Sequence, residues 1–289
     1  MKVGLIDLDS KMANLALMKL SAWHKAQGHD VELTMPTFAA GYDRVYVSKV
    51  FTWTSMPGLP ESVEMGGTGV DLKKELPEEI EALCPDYELY DTDYSLGFLT
   101  RGCIRNCSFC FVPEKEGAIR PAADIMDFLR HGKVILLDNN VLAHEHGMGQ
   151  IEKMARIGVK VDFNQGMDAR FIDDAVARLL VKVKWIRAIR TACDNEAAKA
   201  WVRRAVEALR KAGVTREIWC YMLVNGGIEE AHDRAEFLRG LGVTPFAQPY
   251  RSPDGKEPSR RVKDFARWVN HRAIFNSVKW SDYKRDAGG

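Results

Sequence analysis

The 289-residue sequence has no uninterrupted apolar run approaching 18 residues, so no membrane-spanning helix is expected. Its first residues, Met1-Lys-Val-Gly-Leu-Ile-Asp-Leu-Asp9, lack the long apolar core and small-residue cleavage site of a secretory signal. Charge of one sign is not in excess. A net charge of +1 gives no global attraction to nucleic acid or to a membrane surface. No internal repeat of solenoid length and no low-complexity tract is present. Cysteine is scarce, at six residues. What remains is the composition of an ordinary globular protein, 46% hydrophobic and 28% charged, long enough for one large domain with an appendage or for two domains.

The few cysteines are not scattered. Cys103, Cys107 and Cys110 fall within Thr100-Arg-Gly-Cys-Ile-Arg-Asn-Cys-Ser-Phe-Cys-Phe111, a C-x3-C-x2-C spacing that follows the apolar run Leu96–Thr100. A structural zinc takes four ligands, and the nearest downstream histidine, His131, is too far along the chain to be the fourth. A ferredoxin-type run would carry a fourth cysteine followed by proline, and none is there. Three thiolates on a four-iron cluster leave one iron open to a small molecule.

With Phe109 before the last cysteine, this string resembles the signature of the radical S-adenosylmethionine (SAM) enzymes. The resemblance implies a [4Fe-4S] cluster on Cys103, Cys107 and Cys110, with SAM chelating the open iron. It also implies electron supply from a small flavodoxin- or ferredoxin-like protein, and a 5′-deoxyadenosyl radical that takes hydrogen from a substrate. A thiol-ligated, oxygen-sensitive cluster fits a reducing cytoplasm.

Residues 1–90 read as a small α/β domain. Lys2–Leu8 is a strand, Asn14 caps a helix carrying Leu15, Met18, Ala22 and Trp23, and Val31–Thr34 and Arg44–Thr52 are further strands. Ile6-Asp-Leu-Asp9 is similar to the D-x-D motif of haloacid-dehalogenase-type phosphotransferases, but their downstream metal motif is missing. The segment more nearly resembles a shortened cobalamin-binding domain of the kind that precedes many radical SAM cores. Gly66-Gly-Thr-Gly69 stands where that family has its Gly-Gly turn, although about a third of the domain is missing, so cobalamin is not expected. The structural alternative is a plain α/β cap with a tight turn at Gly66–Gly69.

From 91 to 255, strand and helix signals alternate. Strands are expected at 96–100, 134–138, 159–164, 185–191, 217–224 and 243–250, and helices at 121–129, 148–157, 173–181, 197–212 and 229–241. Such alternation argues for parallel strands with helices outside. Six units match the partial (β/α)6 barrel of the radical SAM family, a TIM-like architecture with reacting groups at the carboxyl ends of the strands. On that resemblance, Phe109, Asn139, Asn140, Gln165, Thr191, Asp194 and Leu223 are expected to contact SAM or its cluster. Asp138-Asn-Asn140 stands at the position of a Gly-Gly-Glu-like motif, and Asn225-Gly-Gly227 lets the backbone turn close to the cofactor. Asp168, Arg170, Gln248, Tyr250 and Arg251 are candidates for substrate contact; for Asp168 and Arg170 the structural reading is a local ion pair closing a turn. Cys193 and Cys220 are candidate hydrogen-atom donors or simply small buried hydrophobes. His144 and His146 read as a loop or helix start rather than metal ligands.

The tail, 256–289, reads as a helix at 258–276 with Val262, Phe265, Val269 and Ala273 on one face. Its basic residues (Arg260, Arg261, Lys263, Arg267, Arg272, Lys279, Lys284, Arg285) are interleaved with aromatic ones. That mixture serves either single-stranded nucleic acid or a closing helix with aromatics inward, the preferred reading.

The expected function is hydrogen abstraction from a substrate that is nucleic acid, nucleotide or peptide. The alternatives are a cobalamin-dependent radical SAM methyltransferase, or a non-catalytic metal-containing module that binds nucleic acid.

Overall fold

The computed structural model describes all residues except Gly226, Pro253 and 285–289. Gly226 of the Asn225–Gly227 turn and Arg285 of the tail therefore lie outside the described residues. The chain forms two compact units, Met1–Leu137 and Asp138–Gly289.

The first unit begins with β1 (Lys2–Asp7), α1 (Leu15–Ala26), β2 (Asp30–Leu33), β3 (Arg44–Ser48) and β4 (Glu64–Gly66). These strands form one parallel sheet in the order β2-β1-β3-β4. Helix α1 starts where the sequence calls for it, since Asn14 accepts the Leu17 N–H at 3.2 Å and satisfies one of the helix's unpaired donors. Its Leu17 and Leu20 pack with Val3, Leu5, Tyr46 and Ile80 into a dry core. β3 is shorter than the expected 44–52, and β4 was not anticipated: three residues carry too little periodicity to be seen. The glycine turn after β4 is a packing device. Gly67 has φ +98°, and a Cβ there would stand 2.4 Å from the Lys49 carbonyl oxygen.

Next come α2 (Glu78–Glu81), β5 (Ser95–Gly97), β6 (Thr100–Arg101), α3 (Val112–Lys115), β7 (Arg120–Pro121), α4 (Ile125–Phe128) and β8 (Lys133–Leu136). The expected single strand at 96–100 is broken in two. β5 pairs in parallel with β8, whereas β6 turns away to pair antiparallel with β7. Pro121, read as a helix start, sits in β7 instead. The helix begins later, behind a reciprocal cap in which Asp124 accepts the Met126 N–H and Asp127 accepts the Asp124 N–H.

The second unit contains α5 (Glu145–Ile157), β9 (Lys160–Phe163), α6 (Asp174–Leu180), β10 (Lys184–Trp185), β11 (Ile189–Ala192), α7 (Ala198–Lys211), β12 (Ile218–Val224), α8 (Ile228–Gly240), β13 (Thr244–Pro249), α9 (Arg260–Asn270) and α10 (Arg272–Ser277). Here too one expected strand, 185–191, is two: β10 pairs with β9, and β11 opens a parallel sheet β11-β12-β13. The gap between them is bridged by the Arg190–Asp162 ion pair, by the Met167 N–H to the Arg190 carbonyl (2.8 Å) and by the Tyr221 hydroxyl to the Asn164 carbonyl (3.1 Å). The architecture is thus α/β with parallel strand pairing, and among the described residues no helix is long and apolar enough to cross a membrane.

The tail helix breaks at His271, giving α9 and α10 rather than one rod. Its aromatics point inward: Phe265, Trp268 and Phe275 are buried, with Trp280 edge-on to Phe265. The basic side chains Arg260, Arg261 and Arg272 are exposed. Asn270 completes the closure by bonding both the N–H (2.7 Å) and the C=O (2.9 Å) of Ala247 in β13. An edge that would otherwise show bare backbone is thereby capped. Ser259 caps α9 through the Val262 N–H at 3.3 Å. Ser259→Ala is expected to cost about 1 kcal/mol, read as a small fall in the denaturant midpoint; an unchanged midpoint would show that α9 is held in place by its packing alone.

Candidate functional site

The cysteine loop is mounted on a built base. Gly102 enters it with φ +79°, and a Cβ there would lie 2.4 Å from the Ala118 carbonyl oxygen. The Gly102 N–H donates to Glu116 Oε2 at 2.7 Å, and the Cys103 N–H donates to the Gly117 carbonyl at 3.2 Å. Arg101 pairs with the largely buried Glu116 at 3.7 Å and lies over the Phe98 ring at 4.0 Å. At the loop's far side, the Cys110 N–H donates to the Cys107 carbonyl at 3.0 Å, folding those two residues into one turn. Lys115, in the helix that follows, donates to the Thr68 hydroxyl and so ties this region to the glycine turn after β4. Burial lowers the Lys115 ammonium, with Arg101 adding to the effect.

The loop's thiols are reachable. Cys103 and Cys107 are half-buried and Cys110 is exposed, while Ile104 and Phe111 present apolar surface beside them. The Arg105 N–H already points to Cys103 Sγ at 3.4 Å, the kind of N–H···S contact that tunes a thiolate ligand. As a donor set, three soft thiolates suit iron or zinc, not magnesium or calcium. Their side chains are not converged, however: among the described residues no group of three or more His, Cys, Asp or Glu side chains is gathered as a metal site. The donor chemistry and the loop base fit a cluster, whose binding would draw the thiols together. The role of Gly102 is testable. Gly102→Ala forces a positive φ on a side chain, at a cost of about 1–2 kcal/mol, and adds a clash with Ala118. It is expected to lower iron uptake on anaerobic reconstitution, and uptake equal to the unaltered chain would contradict that.

In the second unit, strand parity sorts the candidates at the strand ends. Leu223 and Gln248 are register partners on β12 and β13 and share the more open face. Thr191 and Cys220 are partners on β11 and β12, three positions out of phase with Leu223, so they face the other way. That face is covered: Thr191, Cys193 and Cys220 are wholly buried, with Thr191 Oγ1 3.7 Å from Cys220 Sγ. Burial pushes the Cys220 thiol well up, and the neighbouring Cys193 adds to the rise. Thr191 and Leu223, expected to contact one cofactor, are therefore on opposite faces of the sheet, and neither Cys193 nor Cys220 is open to a substrate.

Asp194 accepts the Leu223 N–H at 2.8 Å. Arg234, a residue the sequence reading passed over, reaches from α8 to the carbonyls of Cys193 (2.7 Å) and Leu223 (3.0 Å). Asp194 and Arg234 together tie the carboxyl ends of β11 and β12. Asn140, nearly fully buried behind the half-buried Asn139, donates to Asp168 at 3.3 Å. Asp168 accepts the Arg170 N–H (3.1 Å) and Nε (2.9 Å), closing a turn over 169–171. Burial would raise the Asp168 carboxyl, but the Arg170 bonds outweigh it and hold it below its ordinary value. Gln165 is exposed, Phe109 and Tyr250 are half-buried, and Arg251 pairs with Glu257. His144 caps α5 by accepting the His146 N–H at 3.1 Å.

The aspartates at the end of β1 serve the fold. Asp9 accepts the N–H groups of Val50 (2.7 Å) and Phe51 (3.0 Å), and Asp7 accepts the Tyr90 hydroxyl at 2.7 Å. Neither is disposed as a nucleophile. No family model matches the chain, and no curated protein is significantly similar to it in sequence.

Proposed function

We propose that the protein is a radical SAM enzyme. The observation that carries the reading is the C-x3-C-x2-C loop with Phe109, set on the Gly102–Glu116 base directly after a short strand in a chain of alternating strands and helices. When bound, a [4Fe-4S] cluster would supply the one-electron reduction of SAM from which hydrogen abstraction starts. Cys103, Cys107 and Cys110 would hold that cluster. The apolar Ile104 and Phe111 stand beside them, and the glycine entrance fixes the loop's direction. Leu223 offers an apolar contact on the open face of β12, with its backbone positioned by Asp194 and Arg234. The repeated units act as the family's partial (β/α)6 barrel, and a small flavodoxin- or ferredoxin-like protein supplies electrons in a reducing cytoplasm. Cobalamin is not part of the reading, and the substrate is a nucleic acid, nucleotide or peptide.

A nucleic-acid-binding module built on the tail is less well supported, because Phe265, Trp268 and Phe275 are packed inside rather than offered for stacking. The enzyme reading is tested by anaerobic reconstitution with iron and sulfide, followed by reduction with SAM present. It expects release of 5′-deoxyadenosine in at least stoichiometric amount; uptake of zinc with no SAM cleavage would refute it.

A further inference from the structure

The amino-terminal ends of β11 and β12 frame a feature of a different kind. Arg187, Ala188, Arg190, Arg216, Glu217 and Trp219 line a cavity of about 330 Å³, at the lower end of the range for small-molecule sites. Arg190 and Trp219 are register partners, so both side chains leave the sheet on one face. Phe246 continues that face, its ring nearly parallel to the Trp219 indole (7°) with centroids 6.3 Å apart.

The wall is rich in guanidinium donors, from Arg187, Arg190 and Arg216. Arg190 is only 4% exposed, and its Nη1 serves Asp162 and the Phe163 carbonyl. Its Nε is buried with no hydrogen-bond partner among the described residues. Glu217 is the one acid in the lining among the described residues. It accepts the Thr244 hydroxyl at 2.7 Å, pairs with Arg272 at 3.1 Å and lies beside the Trp219 indole N–H. Asp162 offsets Arg190, and Arg272 offsets Glu217. Arg187, 4.0 Å from Asp162, and the exposed Arg216 leave the cavity positive.

We infer that this cavity binds a nucleoside monophosphate, with the phosphate on Arg187 and Arg216 and the base against Trp219. Guanidinium forks match phosphate oxygens in pairs, and an indole face accepts any base by stacking. A volume of about 330 Å³ has room for one nucleotide. Trp219 lies four residues before Leu223 on β12, about 13 Å away along the strand. The cavity is therefore separate from the carboxyl strand ends, and the inference does not rest on the iron–sulfur reading.

Adenosine 5′-monophosphate titrated calorimetrically into the full chain, without iron or SAM, tests it. Saturable binding is expected, weakened at least about tenfold in Arg187→Ala/Arg216→Ala. Trp219→Phe should weaken it less, and both adenosine and inorganic phosphate should bind less tightly than the nucleotide. Both arginines are solvent-facing, so an unchanged thermal midpoint in the double variant separates lost binding from lost fold. Three results would overturn the inference: no binding at millimolar nucleotide, equal affinity in the double variant, or equal affinity for phosphate and nucleotide, which would reduce the cavity to a bare oxyanion site.

Discussion

Cys107→Ser is expected to remove SAM cleavage, lowering 5′-deoxyadenosine formation by at least about 100-fold, because even the outer partners of a metal site are worth about 10–100-fold. Iron content after reconstitution should fall with it, and Cys103→Ser and Cys110→Ser should behave alike, since each removes one of only three thiolates. A serine hydroxyl is a hard, weakly acidic donor and does not replace a soft thiolate. Cys84→Ser is the control. That thiol is half-buried, 3.8 Å from the Pro85 carbonyl, and its pKa is raised by burial, so it is neither acidic nor part of the loop. Iron content and cleavage should be unchanged in it. Full activity in Cys107→Ser would sink the cluster assignment.

The second large effect concerns stability. Asp162 of β9 and Arg190 of β11 are 3% and 4% exposed and face each other across the gap between those two strands. Asp162→Asn keeps the shape but leaves a guanidinium buried without its counter-charge. Breaking such a pair from one side costs about 3–5 kcal/mol, equivalent in a domain of this size to a fall in thermal midpoint on the order of 10 °C. Replacing both partners, as in Asp162→Leu/Arg190→Met, removes the unpaired charge and should recover most of the loss. A double variant no more stable than Asp162→Asn would show that the pair's worth lies in its bridging geometry rather than in charge balance.

Why the sequence conveyed some elements and not others has physical causes. α1 was readable because its cap, Asn14, and its apolar spacing act within a few residues. α5 began three residues earlier than expected because its cap is His144, a residue not normally read as one. The breaks at Phe98–Leu99 and Ile186–Ala188 left little mark, since apolar residues continue through the first, a single Arg187 interrupts the second, and pairing with distant strands decides where a strand ends. Pro121 fits a helix's first turn, yet the nearby Asp124 and Asp127 carried the true start signal. The parity of β12 was available in the sequence: Cys220 and Leu223 are three residues apart and must face opposite sides. Arg234 and the Asp162–Arg190 pair were invisible in principle, because each joins residues more than ten positions apart. The cysteine loop was the reverse case, a local spacing whose meaning depends on chemistry the fold alone does not express.

The most direct measurement of the central claim is electron paramagnetic resonance of the anaerobically reconstituted, reduced protein, recorded with and without SAM. An open iron held by three cysteines predicts about four irons per chain, a signal from a reduced [4Fe-4S] cluster, and a change in that signal when SAM is added. A protein that binds zinc and is silent, or a cluster signal indifferent to SAM, would contradict it.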